Sequence, residues 1–336
     1  MRLIDTKSLR VREFFNSNRP KYAILSHTWR GEEEVSLQEW MKWEEGDTNQ
    51  KIKIEAKSGF KKIKSACRLA LSDGHQYIWV DTNCIDKKSS AELSEAINSM
   101  FSWYRGSEIC YAFLEDFPGD TLTKDISRCR WFTRGWTLQE LLAPERLEFF
   151  DATWQSCGTK FSLCEKLSKA TGIDAKTFRE PTSIGLTCVA RKMSWASSRE
   201  TTRVEDMAYC LLGLFDISMP LLYGEGIHAF RRLQEEIIKV STDQSIFAWN
   251  FHGEERLGKF TALATSPLAY GTCRHIEKRS YRALAFQPRQ REFAMTNFDH
   301  EEAGTHCFFI NTNELGLTVQ SKILVQTAYP GPRLPV

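Results

Sequence analysis

HQYIWVDTNCIDKKSSAELSEAINSMFSWYRGSEICYAFLED, residues 75–116, decides the fold. HQYIWVDTNCID (75–86) is apolar, β-branched and aromatic, and reads as a buried strand. DKKSS makes a loop in which Ser90 is a plausible cap, and SAELSEAINSMFSWY (90–104) has a helical period. EICYAFLED (108–116) is again a buried strand. Strand, helix, strand within some forty residues is a crossover unit of a parallel sheet.

The pattern extends both ways. Upstream, KYAILSHTW (21–29) is an apolar strand opening into a loop. EAKSGFKKIKSACRLALS (55–72) is a helix with Phe60, Ile63, Ala66, Cys67 and Ala70 on one face, stopped by Asp73-Gly74. Downstream, RGWTLQELLAP (134–144) is a helix closed by Pro144, and RLEFFDATW (146–154) a fourth strand. Residues 1–155 therefore form an α/β unit with a parallel sheet and helices on both faces. Residues 156–244 read as a helical extension, including TTRVEDMAYCLLGLF (201–215), capped by Thr201 or Thr202 with Glu205 as capping-box acid, and GIHAFRRLQEEIIKVS (226–241). Arg203, Glu205 and Asp206 read as an ion network between the two halves. Residues 245–336 turn to short strands (SIFAW, RALAF, THCFFIN, LGLTVQSKILVQTAY) and make a small β-rich region with a loose tail.

With 45 basic and 43 acidic residues, the net charge of +2 gives no general drive towards nucleic acid. The run KIKIEAKSGFKKIK (51–64) is the solvated face of a helix. The ten cysteines form no CxxC pair and no zinc spacing, which suits reduced thiols. No apolar leader opens the chain, and YCLLGLFDISMPLLY (209–223) is broken by Asp216 and Pro220, so no membrane span is expected. The expected localisation is cytoplasmic.

Ligands of such sheets sit beyond the strands' carboxyl ends. Ser26, His27, Trp29, Asp81, Cys84 and Asp86 fall there. Trp136 and Glu140, four apart, share a helix face, an indole beside a carboxylate. His27 with Cys84, oriented by Asp81 or Asp86, is a second candidate, a cysteine nucleophile. Two aspartates alone do not make a metal site, and none is expected. SHTWRGEEE (26–34) has one Gly and is no phosphate-cradling loop.

YAILSHTW, YIWVDTNCIDKKSSAELSEAINSMFSWY, WFTRGWTLQELLAP, KMSWASSRETTRVEDMAYCLLGLF and MPLLYGEGIHAFRRLQEEI, in this order over roughly residues 20 to 250, resemble the fungal heterokaryon-incompatibility (HET) domain. The C-terminal stretch resembles what often follows that domain. HET domains are in turn distantly similar to TIR domains, which implies a TIR-like, flavodoxin-like parallel sheet. AILSHTWRGEEE is similar to the first strand of plant TIRs, DTNCIDKKSSAELSEAINSM to their second strand, loop and helix, and RGWTLQEL to their Ser-Arg-Trp-Cys-Leu-Asp-Glu-Leu helix, with Thr137 in place of Cys and Gly135 in place of Arg.

The resemblance implies an effector of non-self recognition, a fungal innate-immunity protein that triggers programmed cell death. It further implies cleavage of NAD, as substrate and not cofactor, with Glu140 as catalytic residue and Ser26, His27, Trp29, Asp81, Cys84, Asp86 and Trp136 around the substrate. Activation by homo-oligomerisation, with a partner carrying an NTPase or sensor domain, goes with it. The alternatives are a non-enzymatic death-signalling adaptor acting by HET-domain self-association, and a cysteine hydrolase using Cys84 and His27.

Overall fold

A computed structural model describes residues 1–15, 18–118, 126–250 and 262–277, and the backbone of two strands at 309–313 and 316–320. Seven strands form one sheet: β1 (Arg2–Asp5), β2 (Val11–Glu13), β3 (Ala23–His27), β4 (Tyr77–Trp79), β5 (Ile109–Phe113), β6 (Leu147–Phe150) and β7 (Ser156–Thr159). Their order is β2-β1-β4-β3-β5-β6-β7. The four central strands are parallel. All five residues of β3 and of β5 are buried, as expected for strands covered on both faces.

The all-parallel expectation is corrected at both edges. β1 pairs antiparallel with β2 and with β4, and β7 pairs antiparallel with β6. The N-terminal hairpin is too short for an alternating pattern to stand out. It is held by the buried Leu3 and Ile4 and turns through Leu9 at φ 58°. An antiparallel edge strand needs only a tight turn, where a parallel one needs a long crossover.

Helices flank the sheet. α1 (Leu37–Glu45) carries a full capping box between Ser36 and Glu39. α2 (Thr48–Ala56) and α3 (Ser58–Ser72) divide the predicted helix at Lys57. Lys62 departs from the solvated-face reading: it is buried and paired with Glu34 at 2.6 Å. β4 ends at Trp79, and Asp81–Cys84 folds as a short helix, α4, where the sequence predicted continuing strand. α5 (Ser90–Arg105) is capped by Ser89, one residue before the expected cap. α6 (Thr137–Leu142) carries Glu140.

The second half consists of α7 (Cys164–Thr171), α8 (Ala175–Arg179), α9 (Val189–Ser194), α10 (Asp206–Tyr209), α11 (Leu212–Phe215) and α12 (His228–Val240). The single helix predicted over 201–215 is two short ones, because its proposed capping acid is engaged elsewhere. The Glu205 carboxylate accepts the amides of Gly224 (2.8 Å) and Gly226 (3.1 Å). Asp206 accepts the Tyr223 hydroxyl, and Arg203 lies over the Tyr223 ring. The expected ion network takes the form of a clamp on the 223–226 loop, in which the Arg203 charge favours both the Glu205 and the Asp206 carboxylates. α11 docks on α5 at Gly213, where a Cβ would lie 2.0 Å from the Cβ of Phe101.

SIFAW is a 3-10 turn (Gln244–Phe247) and not a strand. THCFFIN and LGLTVQSKILVQTAY contribute the described strands β8 (Phe309–Asn313) and β9 (Gly316–Gln320), an antiparallel pair. RALAF and the tail lie outside the described residues. No helix among the described residues is long and apolar enough to cross a membrane.

Candidate functional site

After β3 the chain goes to β4 on one side and then to β5 on the other. The carboxyl ends of these strands are therefore where the connections diverge and leave a crevice. β3 presents Ser26 and His27 there, with successive side chains on opposite faces of the sheet.

On one face, Ser26 Oγ donates to the Glu140 carboxylate, a contact shorter than an ordinary hydrogen bond. The same hydroxyl accepts Trp131 Nε1 at 2.7 Å. The Tyr104 hydroxyl reaches Glu140 and donates to Leu25 O at 3.2 Å. Glu140 is only 6 % exposed. Burial drives its pKa from 4.5 up to about 8, and the Ser26 hydrogen bond restrains the rise. At neutral pH this carboxyl is therefore mostly protonated, with an ionised minority that grows as pH rises towards 8.

On the other face, Asp81 at the start of α4 joins two candidates. Its Oδ1 pairs with His27 Nε2 and its Oδ2 accepts Trp29 Nε1, both at 2.9 Å. Burial opposes the Asp81 charge, but the bond and charge of His27 outweigh it and hold the carboxyl below its ordinary range. His27 Nδ1 is buried without a partner. Trp29 is half exposed, with the Lys87 ammonium 3.4 Å from its ring centroid. Beside it opens a cavity of about 610 Å³, whose walls include Trp29, Glu34, Ser36, Lys57, Thr82 and Lys87. Glu140 does not line this cavity; it lies one layer in, behind Ser26 and beneath Trp131.

Ser26 and Glu140 are thus joined on one face at the end of β3, and His27, Trp29 and Asp81 on the other, and of the five only Trp29 lines the cavity. Three other candidates stand apart. Cys84 is buried, its sulfur accepts the Val80 amide at 3.4 Å, and burial pushes its pKa up to about 12. A thiol held neutral and turned inward is a poor nucleophile, and His27 is committed to Asp81. Asp86 caps its own turn through the Lys88 amide (2.9 Å) and Gln38 (2.6 Å). Trp136 donates to Asp206 of the second half, since the helix proper begins only at Thr137. Among the described residues no group of His, Cys, Asp and Glu side chains is placed to hold a metal.

The sequence reading missed Tyr104, Trp131 and Arg199. Arg199 is buried and donates to Arg134 O (2.8 Å) and Thr137 Oγ1 (2.9 Å) at the start of α6. Trp131 ends SRCRW (127–131), a rival register for the Ser-Arg-Trp motif with no Glu four residues on, and a buried arginine 68 residues further on had no local signal.

Residues 22–123 match the family model described as heterokaryon incompatibility protein (HET), and residues 228–314 match a domain of unknown function, DUF8212. The chain belongs to the HET-domain family. It is 44% identical over 230 residues, 66% of its own length, to the vegetative incompatibility protein HET-E-1 of Podospora anserina. That stretch is 16% of the relative, so this chain spans about one sixth of the protein it resembles. No solved structure matches it. Ser26, His27, Trp29 and Asp81 lie inside the HET match; Glu140 and Arg199 lie beyond it.

Proposed function

We propose that this chain is the effector module of a fungal heterokaryon-incompatibility response, and that it kills by cleaving NAD in the cytoplasm with the Glu140 carboxylate that Ser26 holds. The incompatibility role follows from kinship with a vegetative incompatibility protein. The chemistry rests on one observation: a carboxyl buried at the carboxyl ends of parallel strands and hydrogen-bonded to Ser26, where burial pushes its pKa up to about 8. The parallel strands, taken in chain order, stand 2-1-3-4, which supports a flavodoxin-like, TIR-like core with its ligand at the switch point.

The nicotinamide–ribose bond breaks with its electron pair leaving on nicotinamide, an ionised Glu140 stabilises the oxocarbenium-like ribosyl cation, and water adds at C1′ with loss of a proton to give ADP-ribose. Nicotinamide is already a good leaving group, so no general acid is needed. Lys57 and Lys87 line the cavity beside Trp29 and would meet phosphate, against the charge of Glu32, Glu33, Glu34 and Glu39 in the same wall. In this conformation Trp131 and Ser26 cover the carboxyl, so turnover requires that cover to shift. Self-assembly, with a partner bearing an NTPase or sensor domain, is the event proposed to shift it.

The test is nicotinamide release from NAD by concentrated or scaffolded protein, wild type against Glu140→Gln. Activity in the first and none in the second is expected. No release under forced assembly, with cell killing intact in the variant, would leave the adaptor reading in place. The cysteine-hydrolase reading has no geometric support.

A further inference from the structure

Residues 199–202 cross the entrance to α6 as a strap. Glu200 N donates to Thr133 O at 2.7 Å, and Gly135 N donates back to Glu200 O at 2.8 Å, a parallel bridge. Arg134 adds a bond to Thr202 Oγ1 at 2.8 Å. The fit is close: a Cβ at Gly135 would lie 2.5 Å from Thr201 Cγ2 and 3.2 Å from Cys210 Sγ.

The strap carries Arg199 into the interior. The residue is 5 % exposed, and its Nη1 spans Arg134 O and Thr137 Oγ1. Its Nη2 is buried without a hydrogen-bond partner, and among the described residues no carboxylate lies within ion-pairing distance of it. A buried cation without a paired counter-ion is costly. One turn along the same helix stands Glu140, which lies within its electrostatic reach together with the Cys210 thiol.

We propose that Arg199 is a positioning residue of the Glu140 site: the strap holds its guanidinium at the first turn of α6 as the counter-cation for the ionised Glu140 carboxylate. The second half of the chain thereby completes the site and does not merely cover it. Around Glu140 stand Ser26 on β3, Asp81 on α4, Tyr104 on α5 and Cys110 on β5. Asp81 opposes ionisation, Tyr104 and Ser26 assist by hydrogen bonds, and Cys110 is itself held neutral by burial. Arg199 is the cation that favours the charged form. This deepens the proposed chemistry, but the titration of Glu140 can be read without any NAD.

The experiment follows the Glu140 carboxyl by NMR of carboxyl-labelled protein in wild type, Arg199→Gln and Arg199→Lys. Loss of the charge should move the titration upward by about one pH unit or more, and lysine should hold it near the wild-type position. Equal titration in all three overturns the proposal, as does a lysine variant displaced as far as the glutamine variant. A second readout compares urea midpoints of Arg199→Gln made alone and in a Glu140→Gln background. Coupling between the sites that grows from pH 6 to pH 9 is expected; coupling independent of pH overturns it. If nicotinamide is released, Arg199→Gln should be about tenfold slower at pH 7, where the ionised fraction falls tenfold per unit of pKa. If nothing is released by any variant, the NAD reading fails while the titration still decides the role of Arg199.

Discussion

Ser26 and Glu140, separated by 114 positions in the chain, meet through a buried hydrogen bond at the end of the central strand. The hydroxyl is also the acceptor for Trp131, so one serine joins β3, the turn before α6 and α6 itself. The carboxyl stays mostly protonated at neutral pH because burial costs the charged form more than the serine returns.

Stability should therefore depend on Glu140 with a definite sign. Its folded pKa, about 8, lies above the ordinary 4.5, so the folded state holds the proton more tightly. The stabilisation is complete below about pH 4.5 and is lost as pH rises through about 8. Glu140→Gln should flatten that decline, leaving the variant more stable than wild type at pH 9 by on the order of a few kcal/mol. Urea titrations from pH 5 to pH 9 test this, and parallel curves for the two proteins would count against it.

Asp81 is the hinge of the opposite face. Asp81→Asn keeps the shape but loses the charge that His27 and Trp29 both use. Iodide should then quench Trp29 more strongly, and binding of a stacking ligand at the adjacent cavity should weaken by about 1–3 kcal/mol. A variant with Trp29→Leu identifies the tryptophan responsible.

Cys84 should be inert. With its thiol pushed up to about 12 and 3 % exposed, the folded protein should resist alkylation at this position at pH 8, and Cys84→Ser should leave cell killing unchanged. Mass mapping of alkylated peptides reads the first outcome. Killing abolished in a folded Cys84→Ser protein would revive the hydrolase.

Gly213→Ala should loosen the union of the two halves. The added Cβ cannot share space with Phe101, so α11 must move off α5. A loss of about 1–3 kcal/mol is expected, read as a lower thermal midpoint. An unchanged midpoint would mean that the junction repacks freely.

Much of the core was legible in the residues. YAILSHTW and ICYAF are continuous apolar runs, and such runs have only buried positions to occupy. The helices at 58–72, 90–105 and 228–240 show periods long enough to read directly. The antiparallel edges were not legible, because strands of three and four residues carry too little pattern. Neither was the break in 201–215, where Glu205 prefers two glycine amides across the chain to the end of its own helix.

The sequence by itself determined that polar residues would gather beyond the ends of buried parallel strands, because apolar runs stop where polar ones begin. It also placed Ser26, Asp81 and Glu140 at helix and strand ends, since periodicity and caps are local. Tertiary structure alone decided that Glu140 is buried against Ser26, that Trp136 and Cys84 turn away, and that Arg199 arrives from the far half. Those outcomes depend on which surfaces exclude water from which groups, and burial is a property of the packed whole, with no signature in any local window.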